Sequence, residues 1–432
     1  MLVNKERADK EILTIHGFVH YRRTILAPAD SESKQKLISL TGQKSVVPID
    51  DLLGVSRLPF KITCKMMSHI AKEATMARSY AEAAERINKE IDKPISISTI
   101  ENVTDYVGEL MYRTQIKTAK DAERRLKDRV IDKRRIHRRK EDVLYIETDG
   151  AMIHVRDKEN VELEEYAPLP DNGSIKHNPG WTESKHALCF HADSIKYYWK
   201  DNANEHHSGR FADILALGDS ITVTGHRIET RDCIGYIGKA DKFQYHLLSL
   251  AERNDWEHCA KVVVLSDGAK WIKGVKDNIF HGRPVIQILD LFHAKENAGK
   301  FANWAKRGKL QKKSYADHLC SLIEQGKVEK LLEELEPYKD VKTPMGIPNL
   351  YTYILNNRDC MDYPRYKREG LFVGSGAMES ANIYMMQDRM KLQGMRWLVA
   401  NGRHMLCLKT HYASRTWSQV DMRIAESCCI SG

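Results

Sequence analysis

The spacing of hydrophobic and polar positions predicts three successive kinds of structure along the chain. Near the amino end, glycine and proline separate short apolar runs at residues 12–21, 37–40 and 46–49, a pattern typical of strands and turns. From about residue 60 to 140, apolar residues recur every three or four positions, which predicts helices. Beyond Val143, strand-like and helical segments alternate, and that order favours an α/β architecture.

The carboxyl-terminal part of the pattern predicts individual elements and a domain organisation. We predict strands at residues 143–148, 152–155, 185–190, 261–265 and 285–289. We predict helices at 240–253 and 270–278, from 290 onwards, throughout 309–360, and near 376–412. The expected domains are a β-rich unit at 1–58, a helical region at 59–140, an α/β core at 141–295 joined by 370–415, a helical insertion at 296–369 and a tail at 416–432.

Two capping signals divide the helical region into successive short helices. Ser79 precedes Glu82 by three residues, and Ser98 precedes Glu101 by the same interval, which is the spacing of a capping box. Two capped helices in succession resemble a helix-turn-helix, the motif that lays one helix in the DNA major groove. A purely structural helical hairpin fits the same pattern, so both interpretations stay open.

The distribution of charge indicates a polyanionic partner such as double-stranded DNA. The chain has 68 lysine and arginine residues against 59 aspartate and glutamate residues, a net charge of +9. Ten of the basic residues fall between Asp121 and Lys140. We therefore expect a basic helix over 121–140 that binds DNA phosphates independently of the base sequence. The alternative is a solvated helix face. The candidate DNA-binding residues are Arg124, Arg125, Arg134, Arg135, Arg138 and Arg139.

Composition narrows the class of protein further. With 42% hydrophobic and 29% charged residues, the chain has the make-up of a globular protein, which excludes wholesale disorder. It has no apolar run near the roughly 20 residues of a membrane span, and its charged amino terminus lacks the apolar core of a signal peptide. We therefore expect a cytoplasmic protein. The nine scattered cysteines contain no C-x-x-C pair and are interpreted as reduced thiols.

Two aspartates in matching contexts are the first candidates for chemistry. Asp149 follows a predicted strand and precedes Gly150, and Asp267 follows another and precedes Gly268. A carboxylate at a strand end is rigidly held, and the glycine lets a ligand approach the backbone. Asp-Gly is also a common turn dipeptide, so one such unit alone indicates little. Two units in one α/β region favour a shared site.

A third acid and an Asp-x-x-His pair complete the candidates. Glu379 follows the glycine-flanked entry at 374–376, and helical spacing predicts that Asn382 and Arg389 lie near its face. A solvated glutamate at a glycine-capped helix start is the alternative. Asp290 ends a predicted strand and His293 lies one turn into the next helix, where a lone histidine is often structural. Converging carboxylates hold a pair of divalent ions about 4 Å apart, as phosphodiester chemistry requires, and Mg²⁺ suits their hard oxygens.

Four motifs in this order resemble those of bacterial insertion-sequence transposases of the ISLre type, relatives of the Kra and Mutator types. They are Thr148-Asp149-Gly150, the segment 265–272 around Asp267, the segment 288–293 and the segment 373–379, and residues 388–397 are also similar to the family. The resemblance covers roughly Val143–Tyr412. Any one motif alone is unspecific, whereas the combination is specific.

The resemblance implies an RNase H-like mixed-sheet core with an Asp-Asp-Glu triad. The catalytic and metal-binding acids carry over to Asp149, Asp267 and Glu379. The family's Asp-x-x-His signature carries over to Asp290 and His293, as a support for the site or a contact to DNA. The implied cofactors are two Mg²⁺ or Mn²⁺ ions, and the implied partners are element ends, target DNA and a second copy of the chain in a homodimer or higher oligomer. Some relatives carry a cysteine-rich zinc module at the amino end, and this chain lacks those cysteines, so no zinc is carried over.

The sequence therefore predicts a DDE transposase that cuts DNA and joins its 3′ ends to a target. Two alternatives stay open. One is an RNase H-like nuclease without strand transfer. The other is a catalytically inactive, transposase-derived DNA-binding protein. The presence of all three acids argues against this second alternative.

Overall fold

The computed structural model describes residues 2–56, 60–128, 139–161, 178–217, 221–280, 285–374 and 376–428. The strands are β1 (Leu2–Thr14), β2 (Gly17–Pro28), β3 (Arg139–Val155), β4 (Gly180–His191), β5 (Ile195–Asp201), β6 (His206–Gly209), β7 (Ile221–Ile228), β8 (Asp232–Ile237), β9 (Cys259–Ser266) and β10 (Val285–Leu289).

The α-helices are α1 (Ser31–Thr41), α2 (Pro48–Leu52), α3 (Cys64–Met76), α4 (Tyr80–Asn88), α5 (Ile97–Lys127), α6 (Phe211–Leu217), α7 (Ala240–Arg253), α8 (Lys270–Ile279), α9 (Leu291–Ala305), α10 (Lys309–Glu324), α11 (Val328–Leu335), α12 (Leu350–Asn357), α13 (Tyr363–Arg368), α14 (Gly376–Asn382), α15 (Val399–Ala413) and α16 (Trp417–Cys428). A π-helical turn, Ile383–Gln387, directly follows α14.

The chain divides into two compact units. The first unit comprises Met1–Lys117, Ile153–Trp181 and Tyr384–Gly432, and the second comprises Thr118–Met152 and Thr182–Ile383. The sequence-based division assigned 370–415 to the α/β core as one piece. The structure instead groups the residues from Tyr384 onwards with the amino-terminal part of the chain.

The first unit begins with a long hairpin. The prediction of two further strands, at 37–40 and 46–49, is wrong. β1 and β2 pair antiparallel from Leu2–Pro28 to Thr14–Gly17. The apolar run 37–40 lies in α1. In the run 46–49, Val46 forms one isolated antiparallel bridge with Leu26, and α2 begins at Pro48. Local capping explains the first error, because the Asp30 side chain accepts a hydrogen bond from Ser33 N and Gly42 ends the helix at a φ of 69°.

The helical region confirms one capping signal and corrects the other. Ser79 Oγ accepts a 3.0 Å hydrogen bond from Glu82 N at the start of α4. The second helix, α5, is a single 31-residue helix whose start is capped by Ser96, which accepts from Thr99 N at 3.1 Å. The basic helix predicted over 121–140 is wrong in extent, since α5 ends at Lys127 and β3 begins at Arg139.

The second unit is a mixed α/β structure built on a five-stranded mixed sheet in the order β10-β9-β3-β4-β8. β10, β9 and β3 run parallel, and β4 and β8 pair antiparallel. Counted in chain order within the sheet, the strands run 5-4-1-2-3. Val262–Leu265 are all at most 2% exposed, because helices cover both faces of a parallel strand.

Most predicted elements of this unit are confirmed, with two corrections. The structure has β10 and α7 at the predicted bounds, and α10–α12 occupy the predicted helical insertion. β3 continues through Asp149 and Gly150 as one strand, where two strands had been predicted. The three-stranded sheet β6-β5-β7 had not been predicted. None of the described helices is both long enough and apolar enough to cross a membrane.

Candidate functional site

Three aspartates lie side by side at one edge of the sheet. Thr148 of β3 and Leu289 of β10 are both paired with Ser266 of β9, and each of these three residues is followed directly by an aspartate. Neighbouring strands are about 4.8 Å apart, so the matched register of the parallel strands brings these side chains into one row. We call Asp149, Asp267 and Asp290 the acid row.

Asp149 is held by its own backbone and by α14. Its Oδ1 accepts a 2.7 Å hydrogen bond from Gly150 N, and its Oδ2 accepts a short hydrogen bond from Asn382 Nδ2. Asn382 in turn contacts His186 Nδ1 through its Oδ1 at 2.9 Å, in a buried position. Burial raises the pKa of Asp149, and the charge of Asp267 raises it further.

Asp267 lies in a turn that requires glycine. Its Oδ1 accepts a 2.9 Å hydrogen bond from Ala269 N, and its carbonyl oxygen accepts one of 2.9 Å from Tyr353 Oη. Gly268 has a φ of 88°, and a Cβ there would lie 2.8 Å from Asn357 Nδ2. The Asp-Gly pair is therefore a true turn here, in contrast to Asp149-Gly150, which lies within a continuous strand.

Asp290 and His293 are joined by a helix cap. The Asp290 side chain is fully buried, and its Oδ1 accepts a 2.8 Å hydrogen bond from His293 N at the start of α9. The His293 ring is half-buried, 3.6 Å from the Glu296 carboxylate. The backbone amide of His293, through the bond to Asp290, connects the start of α9 to the acid row. The structure thus joins Asp290 and His293 through this cap, and the supporting role expected of them stays a prediction.

A ladder of hydrogen bonds attaches the segment that carries Glu379 to one face of β3. Tyr145 Oη accepts from Phe372 N at 3.1 Å, Glu147 Oε2 accepts from Met378 N at 2.8 Å, and Asp149 accepts from Asn382. Residues 145, 147 and 149 alternate along the strand and therefore point to the same face. The ladder fixes α14 over the acid row.

Glu147 is a buried acid that the sequence analysis did not single out. It is fully buried, and its Oε1 has no hydrogen-bond partner among the described residues. Burial raises its pKa well above the ordinary value, and the charges of Asp290 and Glu379 add to the effect. The signal in the sequence was the period-two series of polar side chains at 145, 147 and 149 within an apolar strand.

Glu379 lies in the first turn of α14 with an exposed side chain. Its charge raises the pKa of Glu147, which is on the same strand face as Asp149. The amide of the preceding residue, Met378, donates to Glu147 Oε2 at 2.8 Å, so the turn that carries Glu379 is close to β3, on a different element from the acid row. The Glu379 carboxylate is exposed and therefore remains available to a ligand.

Arg389 does not share a continuous helical face with Glu379, because the π-helical turn and a following irregular turn interrupt the helix. Its contacts all lie within the first unit. The side chain is 2% exposed, donates to the carbonyl oxygens of Ala74 and Arg78, and stacks on the rings of Tyr80 and Trp397. These contacts make Arg389 a structural residue of that unit.

The donor set of the site fits a hard divalent cation. Its side chains offer carboxylate oxygens, the ligands that Mg²⁺ and Mn²⁺ prefer. Among the described residues, the row does not form a set of three ligand atoms within 4.8 Å of one another, whereas two other groups do. Each carboxylate of the row also accepts a hydrogen bond from a backbone amide, which fixes its orientation.

The candidate DNA-binding arginines have mixed outcomes. Arg124 is paired with Asp121 at 3.0 Å, and Arg125 is paired with Glu252. The side chain of Arg139, at the start of β3, lies outside the described residues. The described residues also exclude three further candidates, Arg134, Arg135 and Arg138.

A second basic stretch had not been considered. Residues 297–316, at the end of α9 and the start of α10, contain six lysines and arginines and no acid, and we call them the basic segment. Lys306 lies 4.3 Å from the centre of the Tyr315 ring. Four of the side chains are exposed or half-buried and form no ion pair with any described residue, namely Arg307, Lys309, Lys312 and Lys313.

Comparison with protein-family models and with curated proteins finds no match. The assignment of a function therefore depends on the residues themselves and on their geometry.

Proposed function

We propose that the chain is a DDE transposase that cuts DNA at the ends of an insertion sequence and joins the 3′ ends to target DNA. The observation that carries the proposal is the acid row together with Glu379. Two half-buried aspartates lie side by side where the parallel pairing of β3 and β9 ends, and a helix attached to the same sheet face supplies the glutamate. Carboxylates in this arrangement are what two-metal phosphodiester chemistry needs.

Asp149, Asp267 and Glu379 would hold the divalent ions, which activate the attacking oxygen and stabilise the leaving oxygen when bound. The chain's own part is orientation. Asn382 fixes one oxygen of Asp149, and the Gly268 turn fixes Asp267. Glu147 fixes the first turn of α14, so that Glu379 is held over the row. Catalytic groups need such support, because errors of about 0.5 Å already cost rate.

The sheet supports an RNase H-like core for this enzyme. It is mixed and five-stranded, and its central strand supplies the first acid. The helical insertion α10–α12 separates the last core strand from the helix that bears the glutamate. This is the arrangement that the resemblance to insertion-sequence transposases implies.

The basic segment is the best-supported DNA contact among the described residues. Four cations there are not neutralised by described acids, whereas Arg124 and Arg125 are. α9 leads from the acid row to this segment over 15 residues, a length of about 22 Å. Since duplex DNA rises 3.4 Å per base pair on each strand, a duplex cut at the acid row would reach the segment about six base pairs away.

The test is a cleavage and joining assay with duplex DNA that contains the element's ends, read from the DNA flanking the gene. We expect Mg²⁺-dependent cleavage followed by joining to a second duplex, with Asp149→Asn as the inactive control. Cleavage without joining would favour a nuclease instead. Binding of the same duplex with neither reaction would favour a catalytically inactive DNA-binding protein. Because two ends must be held together, we also expect a dimer or higher oligomer on end DNA.

A further inference from the structure

A second cluster of possible metal ligands lies at the opposite edge of the sheet from the acid row. Asp142 lies near the amino end of β3, Cys259 begins β9 and His191 ends β4. Asp142 precedes Asp149 by seven residues along β3, a separation of about 23 Å at 3.3 Å per residue. The cluster is therefore independent of the proposed catalytic site.

The ligand atoms of the cluster already converge. Asp142 Oδ1 lies 3.0 Å from His191 Nδ1, and Cys259 Sγ lies 3.8 Å from Asp142 Oδ2. With one ligand atom taken from each residue, the three atoms all lie within 4.8 Å of one another. In a tetrahedral zinc site the metal–ligand bonds are about 2.0–2.3 Å, so neighbouring ligand atoms are roughly 3.3–3.8 Å apart. The observed separations bracket that range, and small side-chain shifts would close the site.

Burial distinguishes this cluster from an accidental one on the surface. Cys259 is 1% exposed, and the side chains of Asp142 and His191 are 19% and 26% exposed. A second group, Asp201, Glu205 and His207, also has its ligand atoms close together, but a local turn accounts for their proximity. There the Asp201 Oδ1 accepts from two backbone amides, and Glu205 and His207 are exposed.

We propose that Asp142, His191 and Cys259 bind one zinc-type divalent ion, with water as the fourth ligand. Imidazole and thiolate favour ions of this class over Mg²⁺. On binding, the Cys259 S–H bond breaks, a sulfur–metal bond forms and one proton is released to solvent. The ion would join the ends of β3, β4 and β9, and so brace the sheet whose other edge carries the acid row.

Co²⁺ is the probe, because a thiolate–cobalt bond gives a near-ultraviolet charge-transfer band that carboxylate sites lack. Titration of the full chain should give this band at one equivalent of Co²⁺, with one proton released per ion and loss of the band when Zn²⁺ is added. A chain that shows no such band, or no proton release, overturns the proposal. In that case the three side chains form only a hydrogen-bonded group.

Variants assign the band to this cluster. Cys259→Ser should abolish it, and His191→Gln should weaken Co²⁺ binding by about 100-fold or more, since even indirect supporting residues are worth 10–100-fold in metal affinity. Cys320→Ser, at a half-buried cysteine elsewhere, should leave it unchanged. Asp149→Asn with Asp267→Asn should also leave it unchanged, which separates this site from the proposed catalytic one. A band that survives both Cys259→Ser and His191→Gln would disprove the assignment.

Discussion

The backbone amide of Met378 donates a 2.8 Å hydrogen bond to Glu147 Oε2, a carboxylate oxygen with no access to solvent. The bond connects the central strand of the sheet to the helix turn that carries Glu379. A buried acid with one oxygen unpartnered among the described residues is costly when charged. Its presence at this position is consistent with a role in holding α14 in place.

Glu147→Gln should therefore be tolerated, because the amide oxygen can still accept from Met378 N. The raised pKa of Glu147 means that the folded state favours the protonated acid. In the parent, protonated Glu147 makes its whole contribution to the free energy of unfolding below pH 4.5, the ordinary pKa of glutamate. That contribution is lost as the pH rises through the raised pKa of the folded state. Denaturant unfolding should thus show Glu147→Gln to be more stable than the parent, by a margin that grows with pH.

The control for this experiment is Glu147→Met, which keeps the volume but removes the acceptor. It should loosen α14 and raise the Mg²⁺ concentration needed for half-maximal cleavage, while Glu147→Gln should not. Equal metal dependence of the two variants would argue against a positioning role.

Asp149→Asn and Asp267→Asn should each abolish cleavage and leave folding and DNA binding nearly intact, because removal of a metal ligand takes away charge stabilisation at the reacting phosphate. Asp290→Asn is the matched comparison within the acid row. Asparagine caps helices as well as aspartate does, so this variant should stay folded and active. Cleavage rates and melting temperatures of the three proteins provide the test, and wild-type cleavage by either of the first two would remove that residue from the site.

Glu379→Gln should abolish Mg²⁺-supported cleavage, with slight activity regained in Mn²⁺. Glu379→Asp should also fail, because the side chain is shorter by about 1.5 Å and the site tolerates only about 0.5 Å. If Glu379 is instead a solvated glutamate at a helix start, its replacement should lower the stability by at most about 1 kcal/mol and leave the activity unchanged. An active Glu379→Gln protein would redirect the search for the third acid to Asp290.

Four cations of the basic segment have no ion-pair partner among the described residues, and replacing them with alanine should weaken binding to every duplex alike. The cations are Arg307, Lys309, Lys312 and Lys313. For each DNA phosphate that is no longer neutralised by a cation, the slope of log K against log salt should become shallower by about 0.9. Fluorescence anisotropy at several salt concentrations measures this slope.

Two other sets of arginines complete the binding experiment. Arg124→Ala with Arg125→Ala removes cations that are already paired, so it should change the slope little. Replacing Arg134, Arg135, Arg138 and Arg139 tests the basic run predicted from sequence, for which we also expect a flatter slope. If only that set changes the slope, the basic segment is a solvated surface.

Arg389→Lys should destabilise the first unit by about 1–3 kcal/mol. Lysine cannot reproduce both carbonyl hydrogen bonds together with stacking on the rings of Tyr80 and Trp397. The Mg²⁺ dependence of cleavage, measured below the melting temperature, should be unchanged. A selective loss of metal dependence with unchanged stability would restore Arg389 as a candidate residue of the proposed site.

The strand-end acids could be predicted because their signals are local. A buried run such as Val262–Leu265 followed by Asp-Gly specifies a strand, its end and a carboxylate. The apolar run 37–40 was predicted to be a strand but lies in α1, because the Asp30 cap determines this helix more strongly than four apolar residues do. Arg389 was misassigned, since the helical spacing from Glu379 assumed a regular helix, and the π-helical turn breaks it. Glu147 was missed because its role depends on a contact with residue 378, far away in sequence.

The backbone bonds of the acid row also determine how many oxygens it can offer. One oxygen of Asp149 accepts from Gly150 N and one of Asp267 accepts from Ala269 N. Asp149 Oδ2 also accepts from Asn382 Nδ2, so while these bonds persist they favour ligation by one oxygen of each carboxylate over ligation by both. Calcium takes six to eight oxygens and often both of a carboxylate, whereas magnesium takes six and retains several waters. In the proposed metal site, such one-oxygen ligands would disfavour calcium by leaving it with too few oxygen ligands, with no difference in charge required.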